Sequence, residues 1–212
     1  SAATREGAES SKIYMVGNIL MDTLRFNHQR FARPAVMDNL GLTEKRYIVF
    51  TLNRKAIIGN DDELRALLVS MMSHTGDIPV VAPLRQLAAD AVQCIVNENP
   101  LLFENLHIVE PLDYLHFGYL TANALGVVTD SGNVAEEATF NTVPCITLNS
   151  YTEHIETVKV GSNVLVGEDP VLLGEEMARM VDGKWKHCGI PERWDGRSAE
   201  RIVQTLLECA AK

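Results

Sequence analysis

The sequence predicts an α/β fold, a single doubly wound parallel sheet covered by helices on both faces. Short apolar runs alternate with helix-period segments from end to end of the 212 residues. Several of those runs are apolar throughout rather than alternating, the pattern of strands buried on both faces. The composition, 46% hydrophobic and 22% charged, is that of an ordinary globular chain. A chain of this length buries roughly 70% of the surface its unfolded form exposes, so its core needs no disulfides.

The polar stretch Ser1–Ser10 reads as a linker, and residues 1–11 are taken as a linker or tag-derived N-terminus. The chain opens on Ser rather than Met, which gives the expectation of a piece cut from something longer. Residues 12–212 are read as one domain with no internal boundary. Expected strands are Ile13–Val16, Tyr47–Leu52, Ile78–Ala82, Leu106–Val109, Gly126–Thr129, Cys145–Leu148 and Asn163–Val166. Between them, Leu64, Leu67, Leu68, Met71 and Met72 recur at helical spacing, and Asn60 with the acidic residues after it caps that helix at its positive end. Leu84, Leu87, Ala88, Ala91, Val92 and Ile95 mark a second helix that stops near Asn97–Pro100. Asp113 caps a third through about Asn123, and Ser198 precedes a terminal amphipathic helix carrying Ile202, Val203, Leu206 and Leu207.

Charge narrows the partners. With 19 Lys+Arg against 28 Asp+Glu, the formal net charge is −9. Nucleic-acid affinity comes mainly from clustered cations that displace counterions, so no nucleic acid is expected. No apolar run is long enough to span a bilayer and the start lacks a signal-peptide pattern, so no membrane is expected either. Cys94, Cys145, Cys188 and Cys209 form no Cys-x-x-Cys pair, and reduced thiols in a cytoplasmic protein are the reading. The six histidines show no zinc spacing, and neither a metal nor a cofactor is expected.

In a doubly wound sheet, ligands sit beyond the carboxyl ends of the strands, so the strand-to-helix turns are where chemistry belongs. One buried strand ends in Thr129-Asp130-Ser131-Gly132 and a helix follows at once. Ser131 and the N–H groups of Gly132 and Asn133 are suited to a phosphate at that helix start, and Gly132 permits close approach. Glu137, about a turn and a half further, can accept hydrogen bonds from ribose hydroxyls. The plain alternative is that Asp130 or Ser131 is only an N-cap. A nucleophile elbow at Ser131 fails for want of Gly-x-Ser-x-Gly. Arg54 and Lys55 follow one strand and Arg85 another, placing cations at the same sheet edge, where a solvated loop is the competing reading. Leu148–Val158 is a polar loop into a short helix, for which Thr152 and Glu153 are ordinary starting residues.

At these turns the sequence resembles the non-hydrolysing UDP-N-acetylglucosamine 2-epimerases, in their C-terminal half. Thr129-Asp-Ser-Gly-Asn-Val-Ala-Glu-Glu137 is similar to the family's Thr-Asp-Ser-Gly-Gly-x-Gln-Glu-Glu. Ile13-Tyr-Met-Val-Gly17-Asn18 with Asp22, similar to the family's Val-x-Gly-Asn-x-x-x-Asp, and Val143-Pro144-Cys145, Thr152-Glu153, Glu156-Thr157-Val158 and Gly161–Gly167 stand in the family's order. The resemblance implies a Rossmann-like domain, the second of a two-domain GT-B architecture, that binds UDP or a UDP-N-acetylhexosamine. It implies Ser131 and Gly132 at the phosphates, Glu137 at the ribose and the Phe117 backbone at the uracil, with Arg54 and Arg85 as supporting cations. Family members eliminate UDP to a 2-acetamidoglucal and add it back on the other face, using carboxylates of a first domain that this chain does not contain. The missing N-terminal domain is therefore an expected partner, as is a second copy in a full-length homodimer, and the isolated chain is expected to be inactive.

The sequence departs from the family at Asn53, which stands at the family's His position, at Lys55-Ala56-Ile57, at Asn149 in place of Arg, and at His154-Ile155 in place of Arg-Pro. Asn53 can donate a hydrogen bond but carries no charge. Two other readings stay open: a non-catalytic nucleotide-sugar sensor or degenerate paralogue, and the donor-binding half of a GT-B glycosyltransferase.

Overall fold

The computed structural model describes residues 2–211. In chain order its elements are α1 (Ala2–Arg5), α2 (Ile19–Asn27), α3 (Ala35–Asn39), β1 (Ile48–Phe50), α4 (Lys55–Ile58), α5 (Asp61–Ser73), β2 (Val80–Pro83), α6 (Gln86–Glu98), β3 (Leu106–Val109), α7 (Tyr114–Ala122), β4 (Gly126–Thr129), α8 (Gly132–Phe140), β5 (Cys145–Thr147), α9 (Ile155–Lys159), β6 (Asn163–Leu165), α10 (Pro170–Val181) and α11 (Ser198–Ala210). They fall into two compact units, residues 30–190 and residues 2–29 together with 191–211. The boundary expected at residue 11 lies inside the second of these.

Residues 30–190 hold one six-stranded sheet in the order β3-β2-β1-β4-β5-β6, with every neighbouring pair parallel. The inner strands β1 and β2 are apolar throughout because each faces two cores. Ile48, Phe50, Val80, Ala82, Val128 and Ile146 point to one face, where Leu64, Leu67, Leu68 and Met71 of α5 cover them. Tyr47, Val49, Val81, Val127 and Cys145 point to the other, under Leu120, Ala135 and Ala138 of α7 and α8. Alternate residues of β1 and β4 thus anchor opposite layers, as the period of two in a strand requires.

Helix starts follow their capping residues. The Asn60 side chain accepts the N–H of Glu63 at the start of α5, and Asp113 accepts that of His116 in α7. Asp169 caps α10 through the N–H groups of Val171 and Leu172, with Pro170 at the first helical position. In α6, Ala88, Val92 and Ile95 are buried as expected, but Leu84 precedes the helix and Leu87 is exposed.

The expected first strand, Ile13–Val16, is not one. Its residues join no strand ladder. The carbonyls of Met15 and Val16 are instead taken by the guanidinium groups of Arg193 and Arg201. An apolar run becomes a strand only where a sheet edge receives its backbone. In the same unit, the Asp22 carboxylate accepts the Ser198 and Ala199 N–H groups at 3.0 and 2.8 Å, fixing the start of α11 against α2. The helix forms as its pattern predicts, yet Val203, Leu206 and Leu207 stay exposed.

Candidate functional site

The sheet runs outward from β1 to β3 on one side and from β4 to β6 on the other, so its order reverses between β1 and β4. The chain leaving β1 goes toward the α5 layer and the chain leaving β4 toward the α8 layer. Loops diverging in this way open a crevice at the carboxyl ends of the strands.

Asp130 holds the crevice together. Its Oδ2 accepts the backbone N–H of Asn53 at 2.7 Å and of Arg54 at 2.6 Å, tying the turn after β1 to the turn after β4. Its Oδ1 is buried and has no hydrogen-bond partner. Just inside, Thr51 and Thr129 share a hydroxyl contact of 2.7 Å, and Thr129 Oγ1 accepts the Ser131 N–H at 3.0 Å.

Two cavities meet at Ser131. The larger, about 610 Å³, is lined by Arg54, Asp130, Ser131, Gly132, Asn149 and His154, among others. The smaller, about 210 Å³, is lined by Asn53, Arg85, Phe117, Ser131 and Val134 with residues of the turns after β1, β2 and β3. The structure therefore brings together Asn53, Arg54, Arg85, Phe117, Ser131 and Gly132. Ser131 occupies the N-cap position of α8, but its side chain makes no capping hydrogen bond. The plain N-cap reading of Ser131 thus has no support in its hydroxyl, which is left facing both cavities. Arg54 is committed within the protein: its guanidinium donates to the Leu148 carbonyl and to Asn149 Oδ1, each at 2.8 Å, and pairs with Glu168. Arg85 is the N-cap residue of α6 with no capping bond of its own.

Glu137 lines neither cavity. It is 8% exposed and lies one helical turn beyond Val134, which lines the smaller one. Burial, reinforced by the neighbouring Glu136 carboxylate, pushes its carboxyl up to about 7.

Two residues of this region were not among the expected site residues. His154, noted only as a departure from the family pattern, extends over the start of α8, where a Cβ on Gly132 would stand 3.2 Å from its Cδ2. Its Nδ1 lies 3.0 Å from Oε1 of the buried Glu136. The signal that could have found this pair was Glu136, a carboxylate on the inner side of a helix, which needs a donor to be buried. Asn149 is the other, linking Arg54 to the Asp130 carbonyl. No cluster of three or more His, Cys, Asp or Glu is arranged to hold a metal ion among the described residues, and no helix among them is long and apolar enough to cross a membrane.

Fold and site together define a doubly wound α/β protein with a polar crevice at its topological switch point, entered by a Thr-Asp-Ser-Gly turn. Residues 2–207 match the UDP-N-acetylglucosamine 2-epimerase family model, and the chain belongs to that family. It is 33% identical over 213 residues to a UDP-N-acetylglucosamine 2-epimerase of Methanocaldococcus jannaschii, covering 95% of this chain and 56% of the relative. It is 33% identical over 207 residues to a UDP-2,3-diacetamido-2,3-dideoxy-D-glucuronate 2-epimerase of Pseudomonas aeruginosa, covering 96% and 55%. Among solved structures, the M. jannaschii UDP-GlcNAc 2-epimerase in complex with UDP-GlcNAc and UDP superposes with a TM-score of 0.78 at 30% identity, over 97% of this chain and 57% of that one. The chain thus spans little more than half the length of these relatives.

Asp130 makes two charge-assisted bonds across the switch point, so Asp130→Ala is expected to lower stability by about 3 kcal/mol, read by urea unfolding. Glu137 gives a pH signature. Its folded-state value lies above the ordinary carboxyl value of 4.5, so its contribution to stability is fully present below that value and is lost as pH rises through about 7. Glu137→Gln should therefore match the parent near pH 4 and exceed it by about 3 kcal/mol at pH 8; parallel stability curves for the two proteins would contradict the assignment.

Proposed function

We propose that this chain is the UDP-binding C-terminal half of a UDP-N-acetylglucosamine 2-epimerase, with residues 12–212 as the UDP-sugar-binding portion. The observation that carries the reading is the Thr129–Gly132 turn, which opens α8 between two cavities with the Ser131 hydroxyl uncommitted to capping. A diphosphate fits there, on the Ser131 hydroxyl and the first N–H groups of α8, where the helix dipole favours negative charge. The nucleoside occupies the smaller cavity, with the uracil toward the Phe117 backbone and the ribose toward Glu137. Arg85 at the rim and Asn53 at the β1 turn supply further donors. Arg54 acts through its backbone and its brace to Asn149 and Glu168 rather than as a free cation.

Chemically, this half would hold the leaving group. Elimination breaks the bond between the anomeric carbon and the UDP oxygen while a proton leaves C2, and the donors at α8 stabilise the charge that gathers on UDP. The carboxylates that move the proton belong to the N-terminal half in this reading. Both named relatives act on UDP-linked 2-acetamido sugars, which supports a UDP-N-acetylhexosamine as the ligand. A cytoplasmic, homodimeric full-length protein completes the proposal. Asn53 at the family's His position, next to an Arg54 already paired with Glu168, favours one second reading, a nucleotide-sugar sensor that binds without turnover.

Calorimetry should detect UDP binding to the chain, with Ser131→Ala and Glu137→Ala each weakening it about tenfold. Because the ionised carboxylate is the stronger acceptor and can take both ribose hydroxyls, uridine affinity should rise by up to about tenfold between pH 6 and pH 8, and Glu137→Gln should abolish the rise. Absence of UDP binding at millimolar ligand would sink the transferred site. Incubated alone with UDP-GlcNAc, the chain should release no UDP-ManNAc above background; sustained interconversion would show that the proton chemistry resides here.

A further inference from the structure

The charge of Arg54 is engaged from behind the larger cavity. Its Nη1 donates to the Leu148 carbonyl and to Asn149 Oδ1, each at 2.8 Å, in the turn after β5. Its Nη2 donates to Glu168, in the turn after β6. The two side chains of that ion pair are 38% and 35% exposed, so water screens them less than it would a pair on open surface. Arg54 lines the larger cavity, whereas Glu168 is outside its wall. Among the described residues of that wall, Arg54 and His154 carry the basic groups, and His154 Nδ1 already faces the Glu136 carboxylate. Asn149 is uncharged and Glu153 adds a carboxylate. The cavity therefore presents neutral donors and acceptors but no uncommitted guanidinium or ammonium.

In the nucleotide reading, the nucleoside fills the smaller cavity and the diphosphate sits at Ser131, where the two cavities meet. The sugar on the second phosphate is thereby directed into the larger one. We propose that Glu168 is a specificity-determining residue which, by holding Arg54, makes this cavity a site for an uncharged sugar and excludes a hexuronate; this rests on the UDP-binding reading above and deepens it by naming the substrate class. A sugar carboxylate entering the cavity would give up hydration without gaining a charge-assisted partner. If it drew Arg54 to itself, it would leave the Glu168 carboxylate without its cation. The hydroxyls of a neutral sugar meet no such penalty, since Asn149, Ser150 and Thr152 line the same wall. Selectivity of this kind comes from what the site withholds from the wrong ligand. The diphosphate is unaffected in kind, because its donors are the Ser131 hydroxyl and the N–H groups that open α8.

A second carboxylate stands beside the pair. Glu63, in the first turn of α5, hydrogen-bonds to Glu168 and feels the Arg54 charge, and Asn60 Nδ2 donates to it at 3.0 Å. With Glu168 alone removed, Glu63 would be a substitute partner for Arg54, so the decisive variant removes both. UDP-N-acetylglucosamine and the uronate made from it by oxidising C6 carry the same nucleotide and differ in one sugar group. By calorimetry, the parent chain should bind the neutral ligand about tenfold more tightly than the uronate. In Glu63→Gln/Glu168→Gln, shown to be folded by its urea transition, that gap should close. Adding Arg54→Gln to this variant should reopen it, which separates a released guanidinium from the mere loss of two negative charges. Glu168→Asp, which keeps the charge, should stay closer to the parent than Glu168→Gln does. Equal affinity of the parent for the two ligands, a ratio unmoved by loss of the carboxylates, or a closed gap that persists without Arg54 would overturn the proposal while leaving UDP binding intact. A parent chain that binds no UDP at millimolar ligand would overturn the nucleotide reading and this inference with it.

Discussion

The architecture of the crevice depends on one carboxylate. Asp130 is the residue after β4, and its Oδ2 gathers two backbone N–H groups from the turn after β1. Those N–H groups are the ones that β1 cannot satisfy by ladder pairing once it ends, and leaving them buried and unbonded would be costly. Because the sheet reverses its order between these two strands, the chain on either side departs to opposite faces, and the carboxylate joins the two turns together with the Thr51–Thr129 hydroxyl contact and the Arg54–Asn149 link to the Asp130 carbonyl. The carboxylate thereby sets the spacing of the two walls, and the Ser131 hydroxyl inherits its place from it.

This constraint also accounts for the disposition of charge. One Asp130 oxygen is doubly bonded and the other is buried without a partner, so the site already contains an anion at its base. An anionic ligand cannot be held there by net charge. At physiological ionic strength, fields from surface charges fade within about 8 Å, and the −9 total therefore acts weakly on the site in comparison with groups in direct contact. What matters is the supply of donors at α8, and the distribution of cations: Arg54 drawn to Glu168, Arg85 at the rim, His154 drawn to Glu136.

Much of this was legible from local pattern. The six strands of the sheet follow from apolar runs because both faces are covered, and Asn60 and Asp113 mark their helix starts because capping is a matter of a few adjacent residues. The 129–137 turn was readable for the same reason. What failed was long-range. Ile13–Val16 has a strand's composition but no edge to join, and its carbonyls go to Arg193 and Arg201, nearly the full chain length away. Arg54 looked like a free cation because Glu168 is 114 residues distant. The His154–Glu136 contact joins a loop to the preceding helix and is specified by no spacing rule.

Glu137 shows how function can be inferred from an unfavourable group. A carboxyl held up at about 7 by burial is a group whose ionised form the fold disfavours, and an ordinary core position would carry Gln or Leu at less cost. Asp130, which lines the larger cavity, repeats the pattern with its buried Oδ1 left unpaired. Polar groups disfavoured by the free protein and collected around one crevice are suited to partners that arrive from outside. In the proposed reading the partner of Glu137 is a pair of vicinal hydroxyls, neutral donors that its carboxylate can accept from. The stability forgone at Glu137 and the binding offered by it are then two consequences of the same burial.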